Sequence, residues 1–241
     1  MKIRKQQGII ITKTRIRGSS LIVQVLMENG YIVPLIFKGA LSSRRKESSS
    51  AYLFPFAILE FVYYEKETRQ VQTASSVSLV EDFPEVRIDF DTQTKAVEFL
   101  RKGVYLIKPG QSCPEIFDIL IALYRNWSIV RALDENLLWA GFLLKILTFS
   151  GFAPAMNRCA SCQGQLIGNV KFSPSQGGLI CGECDSPTDA QKIEPKTVDI
   201  LQFLLAKPFR SYDKLKCEPN RAKSLRNMIE KFWIYHIGQN R

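Results

Sequence analysis

Residues 8–79 of the chain consist of short apolar runs, rich in β-branched and aromatic side chains, broken by polar stretches. GIIITKT, SLIVQVLM and YIVPLIFK are parted by Arg15-Ile16-Arg17-Gly18-Ser19 and by Glu28-Asn29-Gly30. Runs of this kind predict three strands, and Asn-Gly is a tight-turn signal. After Lys38-Gly39 comes ALSSRRKESSS, polar enough for a short helix or a loop, and then YLFPFAILEFVYYE and RQVQTASSVSLV. These predict a fourth and a fifth strand, with Pro55 marking a bulge or an edge in the fourth. Three strands, a break and two more strands predict a five-stranded barrel of the OB type over residues 1–79, a fold that binds single strands across its curved face.

From residue 80 the hydrophobic period lengthens. Val97, Leu100, Val104 and Ile107 recur at helical spacing, and Ser112-Cys113-Pro114-Glu115 reads as a capping box with proline in the first turn, opening the next helix. The stretch LLWAGFLLKILTFSGFAP is apolar on nearly every side, which places a helix in the middle of a bundle, ended by Gly151 and Pro154. Residues 195–206 and 219–236 predict two more helices. The first carries Val198, Leu201, Leu204 and Leu205 on one face, and the second Leu225, Met228, Ile229 and Phe232. The expected fold class is therefore α+β, with the barrel followed by an all-helical domain over residues 80–241.

That helical domain is interrupted by Cys159-Ala160-Ser161-Cys162 and, eighteen residues later, by Cys181-Gly182-Glu183-Cys184. C-x2-C-x18-C-x2-C is a zinc-site spacing: each pair curls two thiolates toward one point, and four soft ligands close a tetrahedron with no open position. Two disulfides, a redox dithiol or four small core residues are the other readings. Disulfides need an oxidising compartment, and the Met1–Gln7 stretch has no apolar run or cleavage site after its charges. A redox motif would sit at a helix start in a βαβ pattern. One structural zinc held by a segment at about 155–188, inserted in the helical domain, is the expectation; Cys113 and Cys217 lie outside the pattern and read as packing residues.

Charge changes the picture. The chain of 241 residues carries 33 Lys and Arg against 23 Asp and Glu, a net charge of +10. Residues 1–79 hold 12 against 5, residues 80–150 hold 8 against 10, and residues 151–241 hold 13 against 8. Two basic regions flanking an apolar middle point to a polyanion, and nucleic acid is the commonest one. Candidate contacts are Arg15 and Arg17 in the first loop, Lys38 after the third strand, and Arg44-Arg45-Lys46 in the connection. Arg221, Lys223 and Arg226 are possible further ones, although an ordinary solvated helix face explains such residues as well. Tyr31, Phe37 and Tyr52 are either stacking platforms or barrel core, the core being the favoured reading. An apolar groove rimmed by the C-terminal cations could receive an acidic-hydrophobic peptide.

Catalytic patterns are missing. The single histidine, His236, lies near the chain end and reads as a surface or packing residue; no phosphate-binding G-x-x-x-x-G-K-[ST] occurs, and neither C-x-x-C has the histidine and glutamate of a zinc deaminase in register. The chemistry points to binding rather than to an enzyme. No stretch of eighteen residues is apolar without a charge, so no membrane span is expected and the chain reads as a soluble cytoplasmic protein.

The order of parts carries a resemblance. Lys38-Gly39-Ala40 with its basic-serine segment, Phe54-Pro55-Phe56, LKILTFSGFAPAMNRCASC over 144–162, and Phe172-Ser-Pro-Ser-Gln-Gly177-Gly178-Leu-Ile-Cys181 resemble the bacterial DNA repair protein RecO family of recombination mediators. The match in order and spacing runs over nearly the whole chain. It departs in the first loop, where Arg17-Gly18-Ser19-Ser20 stands in place of a Gly-Glu-x-Asp-like turn. Some relatives lack the cysteines, which argues that zinc supports the fold rather than the function. The resemblance implies a protein that binds single- and double-stranded DNA, anneals complementary strands, engages the acidic C-terminal tail of single-strand-binding protein, and works with RecR to load RecA, placing it at the bacterial nucleoid. The rival expectation is a zinc-ribbon interaction protein of RNA or transcription.

Overall fold

The computed structural model describes residues 2–16, 18–41 and 53–238. Five strands, β1 (Lys2–Arg15), β2 (Leu21–Met27), β3 (Ile32–Phe37), β4 (Ala57–Glu65) and β5 (Gln72–Asp82), close into a barrel in the order β1-β2-β3-β5-β4. This is the OB fold. Closure depends on β1 serving two partners: its first half pairs with β4, from Lys2↔Glu65 to Gly8↔Leu59, and its second half with β2, from Gly8↔Met27 to Arg15↔Leu21. Gly8 sits at the changeover, where a Cβ would come within 2.5 Å of Val25 Cγ1. The strand therefore begins at Lys2, well before the GIIITKT run. Its polar first half has no apolar signature, because pairing with β4, distant in sequence, is what makes it a strand.

Alternate residues fill the interior, among them Ile10, Val23, Val25, Leu35, Phe37, Leu59 and Phe61. Phe37 packs edge-on to Phe61, with ring centroids 6.4 Å apart. Pro55 precedes β4 rather than interrupting it. The following Phe56 takes a left-handed φ of 61° and packs its buried ring against Tyr124 at 5.5 Å.

After β5 come a 3-10 turn over Pro84–Arg87, helix α1 (Phe90–Val104) and helix α2 (Pro114–Arg125). Asp89 caps α1, accepting from the Thr92 amide at 2.7 Å. The expected Ser112 capping box does not form: the Ser112 hydroxyl donates to the Asn29 carbonyl at 2.6 Å, in the β2–β3 turn. That turn seats the helix. Gly30 has φ +81°, and a Cβ there would lie 2.3 Å from the backbone of Cys113 and Pro114. With Tyr124 also donating to the Ala96 carbonyl and Arg125 bonded to Glu81, α1 and α2 pack together with the barrel. The chain divides into two compact units, Met1–Arg125 and Asn126–Arg241.

The second unit holds α3 (Trp127–Val130), α4 (Glu135–Phe149), α5 (Pro195–Ala206) and α6 (Pro219–Ile237), with three short strands, β6 (Lys171–Ser173), β7 (Gly178–Ile180) and β8 (Gln191–Lys192), ordered β7-β6-β8. Helix α4 is buried on all sides, as its uniform apolarity predicts. Gly141 in α4 is required by Tyr212, whose hydroxyl would lie 2.6 Å from an added Cβ and donates to the Leu204 carbonyl at 2.7 Å. Leu225, Met228, Ile229 and Phe232 of α6 face inward. The buried face of α5 is Thr197, Ile200, Leu201 and Leu204, so Val198 and Leu205 sit at its margins.

Candidate metal centre and nucleic-acid interface

The two C-x-x-C loops meet because β7 leads straight into the second while binding the first. Ala160 donates its amide to the Leu179 carbonyl at 2.7 Å, and Ala155 and Gly178 form a parallel bridge. A Cβ on Gly178 would fall 2.4 Å from the Ala155 carbonyl oxygen, so only glycine admits that approach. The thiol sulfurs of Cys159, Cys162, Cys181 and Cys184 all lie within 4.8 Å of one another.

Individual separations are 3.8 Å for Cys159–Cys184, 3.9 Å for Cys162–Cys181 and 3.5 Å for Cys181–Cys184. A sulfur–sulfur bond of about 2 Å is thus absent, and all six cysteines are free. Four thiolates around an ion at about 2.3 Å would be spaced about 3.8 Å apart, and the cluster already has those dimensions. Its electrostatics fit a cation too. Burial pushes the Cys159 thiol up, but amides of Cys162, Cys181 and Ser161 aimed at its sulfur outweigh this and bring it down to about 6. Cys184 is pushed up to about 12 by the adjoining sulfurs of Cys181 and Cys162. A second thiolate beside the first needs a counter-charge, which a divalent cation supplies.

The barrel places the N-terminal cations by register. Arg15 on β1 and Phe37 on β3 are both partners of Leu21 on β2, so Arg15 and Lys38 stand at one end of the barrel, two strands apart and exposed. Neither is in an ion pair among the described residues. Arg17, Arg44, Arg45, Lys46 and Tyr52 lie outside the described residues. Their described flanks are both held near the first loop: the Leu41 amide donates to the Ser19 carbonyl at 2.9 Å, and Lys13 Nζ donates to the Leu53 carbonyl at 2.6 Å. Lys13 carries no sequence signal for this role. Tyr31 is exposed but stands at the other end of β3, and Phe37 belongs to the core.

A model of the recombination protein O N-terminal region matches residues 1–83, and one of its C-terminal region matches residues 104–241. The chain belongs to the RecO family. Proteins named DNA repair protein RecO align along nearly all of it. That of Alkaliphilus metalliredigens is 26% identical over 98% of this chain and 94% of its own length. The Rubrobacter xylanophilus protein is 27% identical over 86% and 83%, and that of Pelotomaculum thermopropionicum 25% over 100% and 91%.

In this RecO-family chain two of the three C-terminal cations are engaged internally. Arg221 bonds Glu194 at 2.6 Å with its side chain only 16% exposed. Arg226 bonds Glu230 at 3.0 Å, lies 3.8 Å from Glu135 and covers the Trp139 ring at 5.1 Å. Either would have to leave a carboxylate to meet a phosphate; Lys223 is exposed. His236 packs on Phe232 at 4.2 Å and meets the Pro174 carbonyl at 2.9 Å, joining α6 to the cysteine segment. Beside it, Pro174, Lys231, Ile234 and Tyr235 line a cavity of about 530 Å³. Among the described residues no helix is long and apolar enough to cross a membrane.

Proposed function

We propose that this protein is a non-enzymatic DNA repair factor, a recombination mediator that binds single- and double-stranded DNA, anneals complementary strands and, with RecR, helps RecA load onto DNA coated by single-strand-binding protein. The observation that carries the reading is the convergence of Arg15, Lys38 and both flanks of the Arg44-Arg45-Lys46 connection near one end of an OB barrel. Annealing brings two polyanions together. Cations that contact phosphate without reading base edges lower that repulsion for any sequence and leave the bases free to pair. The barrel and its loops, residues 1–79, act as the DNA-binding part. The remainder docks proteins, and the cavity beside Lys231, Ile234 and Tyr235 takes the acidic-hydrophobic tail of single-strand-binding protein, its lining carboxylate, Asp189, being held by the Ser173 and Ser175 hydroxyls and the Ser175 amide.

Zinc bound by Cys159, Cys162, Cys181 and Cys184 would be structural: four protein ligands leave no place for water or substrate. Its contribution is a cross-link between two loops whose own apolar cluster is small, consisting of Cys159, Ile180 and Cys181 with Leu166 and Cys184 at its edge. The expected location is the bacterial cytoplasm, at the nucleoid. The test is annealing of complementary oligonucleotides precoated with single-strand-binding protein, across a range of salt. Fast annealing that fades with salt is the expected result. DNA binding without annealing, together with preference for structured RNA, would overturn the reading in favour of an RNA- or transcription-related role.

A further inference from the structure

The barrel has a second open end that the DNA reading leaves unused. Strand β2 stops at Met27, opposite Gly8, whereas β1 runs back along β4 to Lys2. Directly opposed residues point to the same side of a sheet. Arg4 beside Tyr63 and Gln6 beside Phe61 therefore continue the interior face of the barrel past its packed core. They enter a cavity of about 370 Å³ at the far end of β3 from Lys38, walled by Tyr31, Ile32, Val33 and Pro34. Tyr31 is 42% exposed there rather than drawn into the core.

Charge and hydrogen-bonding capacity in this mouth select its ligand. Arg4 Nε donates to Glu65 at 2.7 Å, and these two are the charged residues of the lining, so the mouth is close to neutral and a bare phosphate gains little from it. The side-chain oxygens beside them are engaged: Gln6 Oε1 accepts from the Tyr63 hydroxyl, and Asn29 Oδ1 from the Tyr31 amide at 3.3 Å. Among the described residues, the Gln6 and Asn29 amide nitrogens and the Arg4 Nη atoms have no partner. The mouth thus offers N–H donors next to an aromatic ring and the apolar wall of Ile32, Val33 and Pro34. An apolar ligand would leave those donors unpaired. A flat, uncharged ring with two carbonyl acceptors and a methyl group meets all three features. The volume, near the lower limit of about 300–1,000 Å³ for ligand pockets, suits a single nucleoside. We propose that the mouth binds one unpaired pyrimidine base of the thymine type, from a DNA strand or from a free nucleotide, at a site separate from the cationic end of the barrel. Holding one base leaves the rest of a strand free to pair. The strand source rests on the DNA-binding reading above; the nucleotide source stands without it.

The test is a nuclear magnetic resonance titration of the full, isotope-labelled chain with thymidine monophosphate and with deoxycytidine monophosphate, which has the same charge but presents an amino donor where thymine has O4. The expected result is movement of the Gln6 and Asn29 side-chain amide signals, with thymidine monophosphate bound at least tenfold more tightly. Tyr31→Ala should weaken that binding about tenfold, the loss of one stacking platform. Gln6→Glu keeps an oxygen for the Tyr63 hydroxyl but exchanges the donor for an acceptor, and it should erase the preference for thymine over cytosine with the folded spectrum retained. If a strand supplies the base, oligothymidine outcompetes oligodeoxycytidine on the wild type and not on Gln6→Glu. Equal binding of the two strands beside a retained nucleotide preference assigns the mouth to free nucleotides. Absence of all DNA binding with that preference intact counts against the DNA reading alone. Amide signals that stay in place, equal binding of the two nucleotides, or binding that ignores both substitutions, overturns the proposal.

Discussion

Replacing Arg15 and Lys38 together with alanine tests the barrel end as a DNA site through a quantity that folding effects do not mimic. Both side chains are exposed and lie one residue beyond register partners of Leu21 or on them, so their removal costs no packing. If each contacts one phosphate, the slope of log affinity against log salt for single-stranded DNA falls by about 0.7 per cation, or about 1.4 for the pair. Between 50 and 200 mM salt, a fourfold range, that slope difference amounts to about a sevenfold change in the affinity ratio. Fluorescence anisotropy of a labelled oligothymidine over that range reads it directly. Arg226→Ala is the matched control. It removes a cation that bridges Glu230 and Glu135, and should lower stability by about 1 kcal/mol or less while leaving the slope alone. An unchanged slope in the double variant, or a reduced one in the control, would refute the assignment of the DNA site to this end of the barrel.

Replacing Gly30 with alanine forces a left-handed backbone on a side chain and drives a Cβ into the Cys113–Pro114 backbone. The expected loss is about 2–5 kcal/mol, measured as the urea midpoint. Cys181→Ser, or a strong chelator, should take bound zinc from about one per chain toward none and lower the melting temperature of the second unit, with the DNA salt slope unchanged; metal analysis and calorimetry check both. Lys145 provides a pH signature. Burial holds its ammonium group down at about 8 in the folded chain, where Nζ donates to the Leu205 and Lys207 carbonyls. The unfolded chain therefore binds more protons between about pH 8 and 10.5, and the burial penalty present below pH 8 is relieved as pH rises through that window. Urea titrations should show wild type gaining stability relative to Lys145→Met from pH 8 to 10.5, and a flat difference would overturn this.

Much of the architecture was legible because its signals are local. The strand runs separated by Asn29-Gly30, the all-round apolarity of α4 and the paired C-x-x-C loops each depend on a few neighbouring residues, and each appears in the structure. The illegible parts depend on partners far away in the chain. Lys2–Gln7 carries no apolar pattern, and it is a strand because β4 pairs with it some sixty residues on. Ser112 has the spacing of a cap, yet the Asn29 carbonyl, 83 residues away, takes its hydroxyl.

By itself, then, the sequence determined the kinds of element, the four cysteines that could hold a metal and the excess of positive charge, because side-chain chemistry and periodicity are properties of the chain. Tertiary structure decided which cations remain available. In the sequence Arg221 and Arg226 are possible further DNA contacts beside Arg15 and Lys38. The packing of α6 sets Arg221 against Glu194, and Arg226 bonds Glu230 one turn along the same helix, while barrel register leaves Arg15 and Lys38 exposed together. A charge acts through what stands within a few ångströms of it, and that distance is set by the fold.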